Sequence, residues 1–133
     1  MEVKITNAKN SFNPEEINYL KKFLTLLQDN MNLTKDIKIV FLDKKTNHMT
    51  TGVRKKNSEI NVLSKGRLFI DILRTVAHEW VHEFQHQKLG LIDTSKVKDI
   101  GGPEENMANV LAGIMTKKFE KKYPESKKVL YGN

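Results

Sequence analysis

The 133-residue chain contains no cysteine. This absence excludes disulfide bridges and thiolate metal ligands, so any metal site must be built from histidine, aspartate and glutamate. Histidine is scarce as well, with four residues in the whole chain, and three of them lie in one short segment: His78, His82 and His86. The capacity to bind a transition metal is therefore concentrated in that segment.

Long apolar runs are also missing. No segment approaches the roughly 20 apolar residues that a bilayer crossing needs. The residues from Met1 to Thr6 do not combine a basic patch with an apolar run, as a secretory signal would. We expect a soluble protein with no membrane partner, in the cytoplasm of a bacterium or of a phage-infected host cell. The length predicts a single domain over residues 1–133, with a lysine-rich tail at 123–133 that docks loosely.

Acidic residues are fewer than basic ones, and the formal net charge is +7. Such an excess raises the question of direct nucleic-acid binding. The basic residues are mostly lysines dispersed as doublets, and only Arg54, Arg67 and Arg74 carry the forked guanidinium that favours base recognition. The charge pattern therefore indicates a solvated surface, and a basic rim for an acidic partner stays as an alternative.

Apolar periodicity predicts an α+β fold. Capping residues and helical spacing predict an N-terminal helix, a helix with a histidine-rich face and a C-terminal glutamate helix, together with a small three-stranded mixed or antiparallel sheet. The helices are expected at Asn13–Asn30, at Arg67–Lys88 with Gly90 as C-cap, and at Pro103–Lys122, and the strands at Ile37–Leu42, His48–Val53 and Glu59–Leu63.

The second predicted helix carries the sequence His78-Glu79-Trp80-Val81-His82, which has the pattern H-E-x-x-H. Two histidines four residues apart on a helix can each turn one nitrogen to a single zinc ion, and the glutamate between them lies beside the metal's water. The opposite flank of this helix is apolar, so the motif is expected to face a cleft. The pattern makes His78 and His82 candidate ligands and Glu79 the candidate general base.

A catalytic zinc takes a third protein ligand and leaves one position open. The candidates are His86, Glu104, Glu105, Asp93 and Asp99. His86 lies about 12 Å further along the helix than His78, from the rise per residue, which is too far for both to join His82 at one ion. Glu105 fits better, because Ala108 and Ala112 on its helical stripe are small and allow a close approach. The alternative for both Glu104 and Glu105 is that the side chain only interacts favourably with the helix dipole at the N-terminus of the helix. This alternative fits Glu104 better than Glu105.

The sequence Thr75-Val76-Ala77-His78-Glu79-Trp80-Val81-His82, followed by Glu105-Asn106-Met107-Ala108-Asn109-Val110-Leu111-Ala112, resembles the ImmA/IrrE-like zinc metallopeptidases. Their pattern is H-E-x-x-H and then E-x-E-A-N-x-F-A on a downstream helix, and the resemblance covers roughly residues 58–116. It implies a minimal zincin-like metallopeptidase domain with Zn²⁺ as cofactor, His78, His82 and Glu105 as ligands, and Glu79 as catalytic base. Met107 and Leu111 depart from the family pattern, but neither stands at a proposed ligand or base.

Neighbouring residues are expected to support this site. Asn109, on the stripe that begins at Glu105, could hold a ligand or a nearby backbone group. Thr75, Asp71 and His86 share the polar side of the motif helix and are expected to face the substrate or the ligands. In zincins the substrate usually lies extended along the edge strand that precedes the motif helix. The corresponding residues in this chain are Glu59, Ile60, Asn61, Val62 and Leu63.

These expectations combine into a zinc-dependent endopeptidase that cuts a protein or peptide at few sites, for which the resemblance suggests a phage or mobile-element repressor. The alternative is a non-catalytic module, with zinc in a structural role or with a basic surface that binds DNA. A protease recruited to DNA-bound proteins, as in SprT-like enzymes, lies between the two. Stoichiometric zinc with an exchangeable water favours the enzyme, and strongly salt-dependent DNA binding without zinc favours the module.

Overall fold

A computed structural model describes residues 1–45, 49–89 and 102–132. Within these ranges the chain forms an α+β fold with a four-stranded mixed sheet and five α-helices. The strands are β1 (Val3–Thr6), β2 (Ile37–Leu42), β3 (Gly52–Lys55) and β4 (Glu59–Leu63). The helices are α1 (Ala8–Ser11), α2 (Pro14–Asn30), α3 (Phe69–Leu89), α4 (Pro103–Lys122) and α5 (Lys127–Tyr131), with a 3-10 turn at Pro124–Ser126.

The N-terminal helix α2 begins where the sequence predicts. The Asn13 side chain accepts a hydrogen bond from the Glu16 backbone N–H at 2.8 Å, and the Glu16 carboxylate accepts one from the Asn13 N–H at 3.0 Å. This reciprocal pair is a capping box, which satisfies backbone donors that the first helical turn leaves free. Phe23 and Leu27 are fully buried on the inner face, so α2 acts as scaffold for the core.

The strands follow the order β1-β2-β4-β3 across the sheet. β1 runs parallel to β2, β2 runs parallel to β4, and β3 is antiparallel to β4. In β2 the side chains of Ile37, Ile39 and Phe41 are buried while their neighbours are more exposed, as the period-2 pattern predicts. Ile60 and Val62 of β4 are also fully buried, so the two middle strands supply the sheet's share of the core.

The strand Glu59–Leu63, predicted to be the edge strand for substrate, lies inside the sheet. Its residues Glu59, Ile60, Asn61, Val62 and Leu63 are paired with β2 on one side, and β3 pairs along the other. The prediction is wrong because the chain reverses between β3 and β4 and leaves the shorter strand outermost. β3 carries Arg54 and Lys55, and charged residues are typical of strands at a sheet edge.

The predicted sheet of three strands also omits β1. Val3 and Ile5 alternate with Lys4 and Thr6, which is a strand pattern, but the run is only four residues long. In the structure β1 gains its stability from pairing in register with β2, starting at Val3 opposite Ile37. The weak strand predicted at His48–Val53 corresponds to β3, which begins at Gly52. Residues 46–48 lie outside the described residues.

Helices α3 and α4 pack against each other and bring the two halves of the predicted site together. α3 begins at Phe69, two residues later than predicted, and α4 has the predicted bounds. The predicted C-cap Gly90 and the candidate ligands Asp93 and Asp99 lie in the range 90–101, outside the described residues. Within the described ranges, no helix combines the length and apolarity that crossing a membrane would require.

The tail at 123–133 is docked more firmly than its lysine content predicts. Up to residue 132 it forms the 3-10 turn and α5, and the side chains of Ser126 and Leu130 are fully buried. Burial of one leucine side chain contributes about 1.5–3 kcal/mol, whereas the exposed lysines around it cost little. The expectation of a loosely docked tail is therefore corrected, because Leu130 belongs to the hydrophobic core.

Candidate metal centre

Helix α3 is held in place by its apolar flank. Val76 and Trp80 are fully buried, and the indole N–H of Trp80 donates a hydrogen bond to the Met31 carbonyl oxygen at 2.9 Å. A buried tryptophan that has satisfied its one polar group fixes both the depth and the rotation of the helix. The opposite flank, which carries His78 and His82, is therefore turned toward β3 and α4.

Small residues on α4 allow the close approach that the sequence predicts. Ala108 and Ala112 are fully buried, on the same helical stripe as Glu105 and Asn109. Glu105 itself lies in the first turn of α4. The Glu105 carboxylate of α4 therefore lies next to the two histidines of α3, and His78 is the nearer of the two.

The side chains of His78, His82 and Glu105 converge on one point. The two histidine Nε2 atoms are 3.2 Å apart. One Glu105 carboxylate oxygen lies 2.6 Å from His78 Nε2, and the other lies 3.1 Å from His82 Nε2. Since one ligand atom from each residue lies within 4.8 Å of the other two, these three residues could hold a metal ion.

Two of the three spacings fit a tetrahedral ion. Zinc bonds to nitrogen and oxygen are about 2.0–2.1 Å, so tetrahedral geometry sets ligand atoms about 3.3 Å apart. The distance between the His78 and His82 nitrogens and the distance from His82 to Glu105 are close to that spacing, whereas His78 and Glu105, at 2.6 Å, are in direct hydrogen-bond contact and would have to separate slightly around an ion. The donor set of two imidazoles and one carboxylate also matches what zinc accepts.

A buried glutamine fixes the tautomer of His82. The amide nitrogen of Gln85 donates to the Glu104 carbonyl oxygen at 2.9 Å, which leaves the amide oxygen to face His82 Nδ1, also at 2.9 Å. That oxygen can only accept, so the proton of a neutral His82 ring sits on Nδ1. The lone pair of Nε2 is then directed at the cluster. Gln85 is 1% exposed and connects α3 to the start of α4.

His78 is supported in a similar way by α4. The Asn109 side chain hydrogen-bonds to His78, as expected for a residue on the Glu105 stripe. Burial lowers the pKa of His78, and the nearby Glu105 carboxylate opposes that shift. A histidine must be neutral to bind a metal, so the lowered pKa favours the state that can act as a ligand.

Glu79 lies beside the cluster without belonging to it. Its side chain is buried, and the hydrogen bond that it accepts comes from the backbone N–H of Arg54 in β3. Burial raises the pKa of Glu79 to about 8, the Glu105 carboxylate acts in the same direction, and Arg54 opposes both. A carboxyl group with a pKa near neutrality is suited to accept and return a proton.

The close approach of β3 to this carboxylate depends on a glycine. A Cβ atom added at Gly52 would lie 2.5 Å from the Thr75 Cγ2 atom and 3.2 Å from the Glu79 Cγ atom. A larger residue would therefore push β3 away from α3 at the position of the candidate base. Gly52 was not predicted as a site residue, although a glycine within a strand signals a close backbone approach.

A buried ion pair fastens β3 to α3 one helical turn beyond Glu79. Arg54 Nε donates to a Glu83 carboxylate oxygen at 2.7 Å, and the two side chains are 3% and 0% exposed. The Ser58 hydroxyl and the Gln87 amide both donate to the other carboxylate oxygen of Glu83. This pair was not predicted, because its members are distant in sequence and no local pattern connects them.

The cluster opens into a polar cleft. A cavity of about 400 Å³ is lined by His78, Glu79 and Glu105 and extends along α3 toward residues that include Arg67 and Thr75. A smaller cavity of about 190 Å³ runs along β3 and shares the same three residues. The site is therefore accessible from solvent on the side of the sheet edge.

The remaining predicted site residues fall into two groups. Thr75 and Asp71 line the larger cavity, as expected of residues that face a substrate. His86 is exposed and does not belong to the metal-competent cluster found among the described residues. Glu104 contributes its backbone carbonyl to Gln85, and its side chain is likewise outside that cluster. Of the described third-ligand candidates, the geometry selects Glu105.

Comparison with protein-family models, with curated proteins and with solved structures gave no match. The functional interpretation therefore depends on the geometry of the site itself.

Proposed function

We propose that this chain is a zinc-dependent endopeptidase with a zincin-like fold. The observation that carries the proposal is the convergence of His78, His82 and Glu105 beside the buried carboxylate of Glu79. Three protein ligands leave one position open on a tetrahedral ion, which is typical of catalytic zinc rather than of closed structural sites. The N₂O donor set and the absence of cysteine favour zinc or a similar divalent ion over metals that need thiolates.

When bound, the metal would polarise the scissile carbonyl and make water acidic enough to ionise near neutral pH. The other steps belong to the protein. Glu79 accepts the proton of the attacking water as the new oxygen–carbon bond forms, and delivers it to the amide nitrogen as the carbon–nitrogen bond breaks. Burial of Glu79 suits it to carry this proton, although a cation at the neighbouring ligands would lower its pKa again.

The strand that would bind an extended substrate is β3. It is the terminal strand of the described sheet next to the motif helix, and Gly52, Val53 and Arg54 line the smaller cavity with His78 and Glu79. A peptide added at this edge would pair with the β3 backbone and run past the base. The resemblance to ImmA/IrrE-like enzymes suggests that the substrate is a regulatory protein, such as a phage or mobile-element repressor, cut at few sites.

The substitution Glu79→Gln tests this proposal. Glutamine keeps the shape of the side chain and can still accept the hydrogen bond from the Arg54 backbone, but it cannot take the water's proton. We expect the variant to retain one equivalent of zinc, while hydrolysis of an unfolded protein such as casein falls by about 10²–10⁴-fold. Glu104→Gln is the matched control and is expected to retain both zinc and activity.

Full activity in the Glu79→Gln protein would contradict the assignment of the base. A wild-type protein that takes up no zinc, and instead binds DNA with strong salt dependence, would favour the basic binding module. The net charge of +7 is the one feature that such a module would use.

A further inference from the structure

The three arginines of the chain all form contacts with residues of helix α3, although lysines are spread over the whole sequence. Arg54 is paired with Glu83 at 2.7 Å, and Arg74 is paired with Asp71 at 3.2 Å. Arg67 differs from both. Among the residues that the structure describes, no carboxylate forms an ion pair with it.

The guanidinium of Arg67 is nevertheless held in a fixed orientation. One terminal nitrogen, Nη1, donates to the Leu63 carbonyl oxygen at 2.8 Å. The other, Nη2, donates to the Asp71 carbonyl oxygen at 3.1 Å and to the Thr75 hydroxyl at 2.8 Å. These partners orient the group but carry no negative charge. Arg67 is also half-buried, and this burial lowers its pKa against the opposing effect of Asp71.

Partial desolvation of a cation that forms no ion pair costs free energy. Such a cost is expected where the cation serves to bind a ligand. Arg67 lines the cavity of about 400 Å³ that also contains the candidate base Glu79. On α3 the guanidinium contacts Thr75 and Asp71, which precede Glu79 by four and eight residues, about 6 and 12 Å of helix rise. An extended peptide advances about 3.3 Å per residue. A substrate group bound at Arg67 would therefore belong to a residue about two to four positions from the scissile bond.

We propose that Arg67 binds a carboxylate of the peptide substrate about two to four residues from the scissile bond and so determines which bonds are cut. This inference rests on the proposed peptidase function. A guanidinium with its orientation already fixed can bind a carboxylate by charge-assisted hydrogen bonds at a small entropic cost. The carboxylate has two sources, an aspartate or glutamate side chain of the substrate or its C-terminus.

Peptide libraries distinguish these sources. The zinc-loaded full chain is incubated with random peptides that end in an amide, and with the same peptides ending in a free carboxylate, and the products are identified by mass spectrometry. We expect aspartate and glutamate to be enriched on the order of tenfold at one position about two to four residues from the cut in the amidated library. Enrichment of cuts at that distance from the chain end, seen only in the free-carboxylate library, would assign the carboxylate to the C-terminus.

Two variants separate Arg67 from the general charge of the cleft. Arg67→Gln is expected to reduce the enrichment to near one while zinc content stays unchanged. Arg74→Gln is the matched control, since Arg74 lines the same cavity but its charge is already balanced by Asp71, and it is expected to keep most of the enrichment. A readout without catalysis is the binding of a selected peptide and its amide-substituted counterpart to zinc-loaded Glu79→Gln protein. The acidic peptide is expected to bind about tenfold more tightly.

Cleavage of both libraries without any preference for a carboxylate would overturn the inference and leave the peptidase proposal standing. An unchanged preference in folded Arg67→Gln would have the same effect. No cleavage by the zinc-loaded wild-type protein would overturn the peptidase proposal and the inference with it. The wild-type preference needs no variant, so the inference stays falsifiable even if Arg67→Gln fails to fold.

Discussion

Glu79 and Glu83 lie one turn apart on the same helix and are both buried, yet their surroundings differ. Glu83 faces the Arg54 guanidinium and receives further hydrogen bonds from Ser58 and Gln87. Glu79 is paired with no cationic side chain in the described part of the chain, and one backbone N–H is the donor identified for it. Burial raises the pKa of Glu79 to about 8.

The two glutamates differ in whether their buried charge has matched partners. A buried charge with matched partners fixes one part of the structure to another, and its removal leaves the partner uncompensated. A buried carboxylate that lacks such partners is held in an unfavourable state, which is common at sites that move protons. We therefore expect substitution of Glu83 to affect mainly stability, and substitution of Glu79 to affect mainly catalysis.

The largest expected effect on stability comes from Glu83→Gln. The substitution removes the carboxylate that forms a buried ion pair with Arg54, so we expect the free energy of unfolding to fall by about 3–5 kcal/mol. Urea denaturation measures this loss. The control is Asp71→Asn, which breaks the exposed pair with Arg74 and should cost about 0–1 kcal/mol.

Glu79→Gln completes the comparison. Because it replaces a poorly compensated buried carboxylate by a neutral group, the variant should be at least as stable as the wild type while its activity is lost. A stability loss in Glu79→Gln as large as that in Glu83→Gln would break the distinction between the two residues.

The next effect concerns the distance between β3 and the base. Gly52→Ala places a methyl group against Thr75 and Glu79, so we expect a loss of about 1–3 kcal/mol in unfolding free energy and a clear fall in activity. Gly113→Ala is the matched control, because no atom lies within 4 Å of the added Cβ and the residue is inside α4. This control should gain about 0.5–1 kcal/mol. Equal effects of the two variants would mean that β3 does not need to approach α3 so closely.

The smallest predicted effect involves Gln85, which is as buried as Glu83 but serves a candidate ligand. Gln85→Leu removes the acceptor that fixes the His82 tautomer, and we expect zinc affinity to fall by about 10–100-fold. The control is Gln28→Leu, since both amide atoms of Gln28 are also hydrogen-bonded, in this case to the backbone of Leu33, and Gln28 does not line either cavity of the site. That variant should lose stability without losing zinc affinity. Equal zinc affinities in the two variants would count against a role for Gln85.

The parts of the site that depend on helical spacing could be predicted from the sequence. His78, Glu79 and His82 lie within two turns of one helix, and the stripe that begins at Glu105 has the same periodicity, so their relative positions follow from 3.6 residues per turn. The structure brings these predicted ligands together. The α+β class and the bounds of α4 are confirmed for the same reason. Gly52 also left a local signal, a glycine in a strand, which was overlooked.

The parts that depend on tertiary pairing could not be predicted. Which strand forms the edge depends on the spatial order of the strands in the sheet. Proximity in sequence to the motif helix does not determine that order, so the prediction of the edge strand was wrong. The pairing of Arg54 with Glu83 and the contacts of Arg67 join residues from different elements or from a loop. In the sequence Gln85 is one of several polar residues of a helix. Its role depends on a hydrogen bond to the start of α4, which no local pattern predicts.

The most direct test of the proposed metal centre is zinc titration of three proteins by calorimetry: the wild type, Glu105→Ala and Glu104→Ala. The wild type and Glu104→Ala are expected to bind one equivalent with equal affinity. The zinc affinity of Glu105→Ala should fall by more than the roughly 10–100-fold that is typical when a residue supporting a ligand is lost. Zinc binding that is unaffected by Glu105→Ala, or that is lost in Glu104→Ala, would contradict a site built from His78, His82 and Glu105.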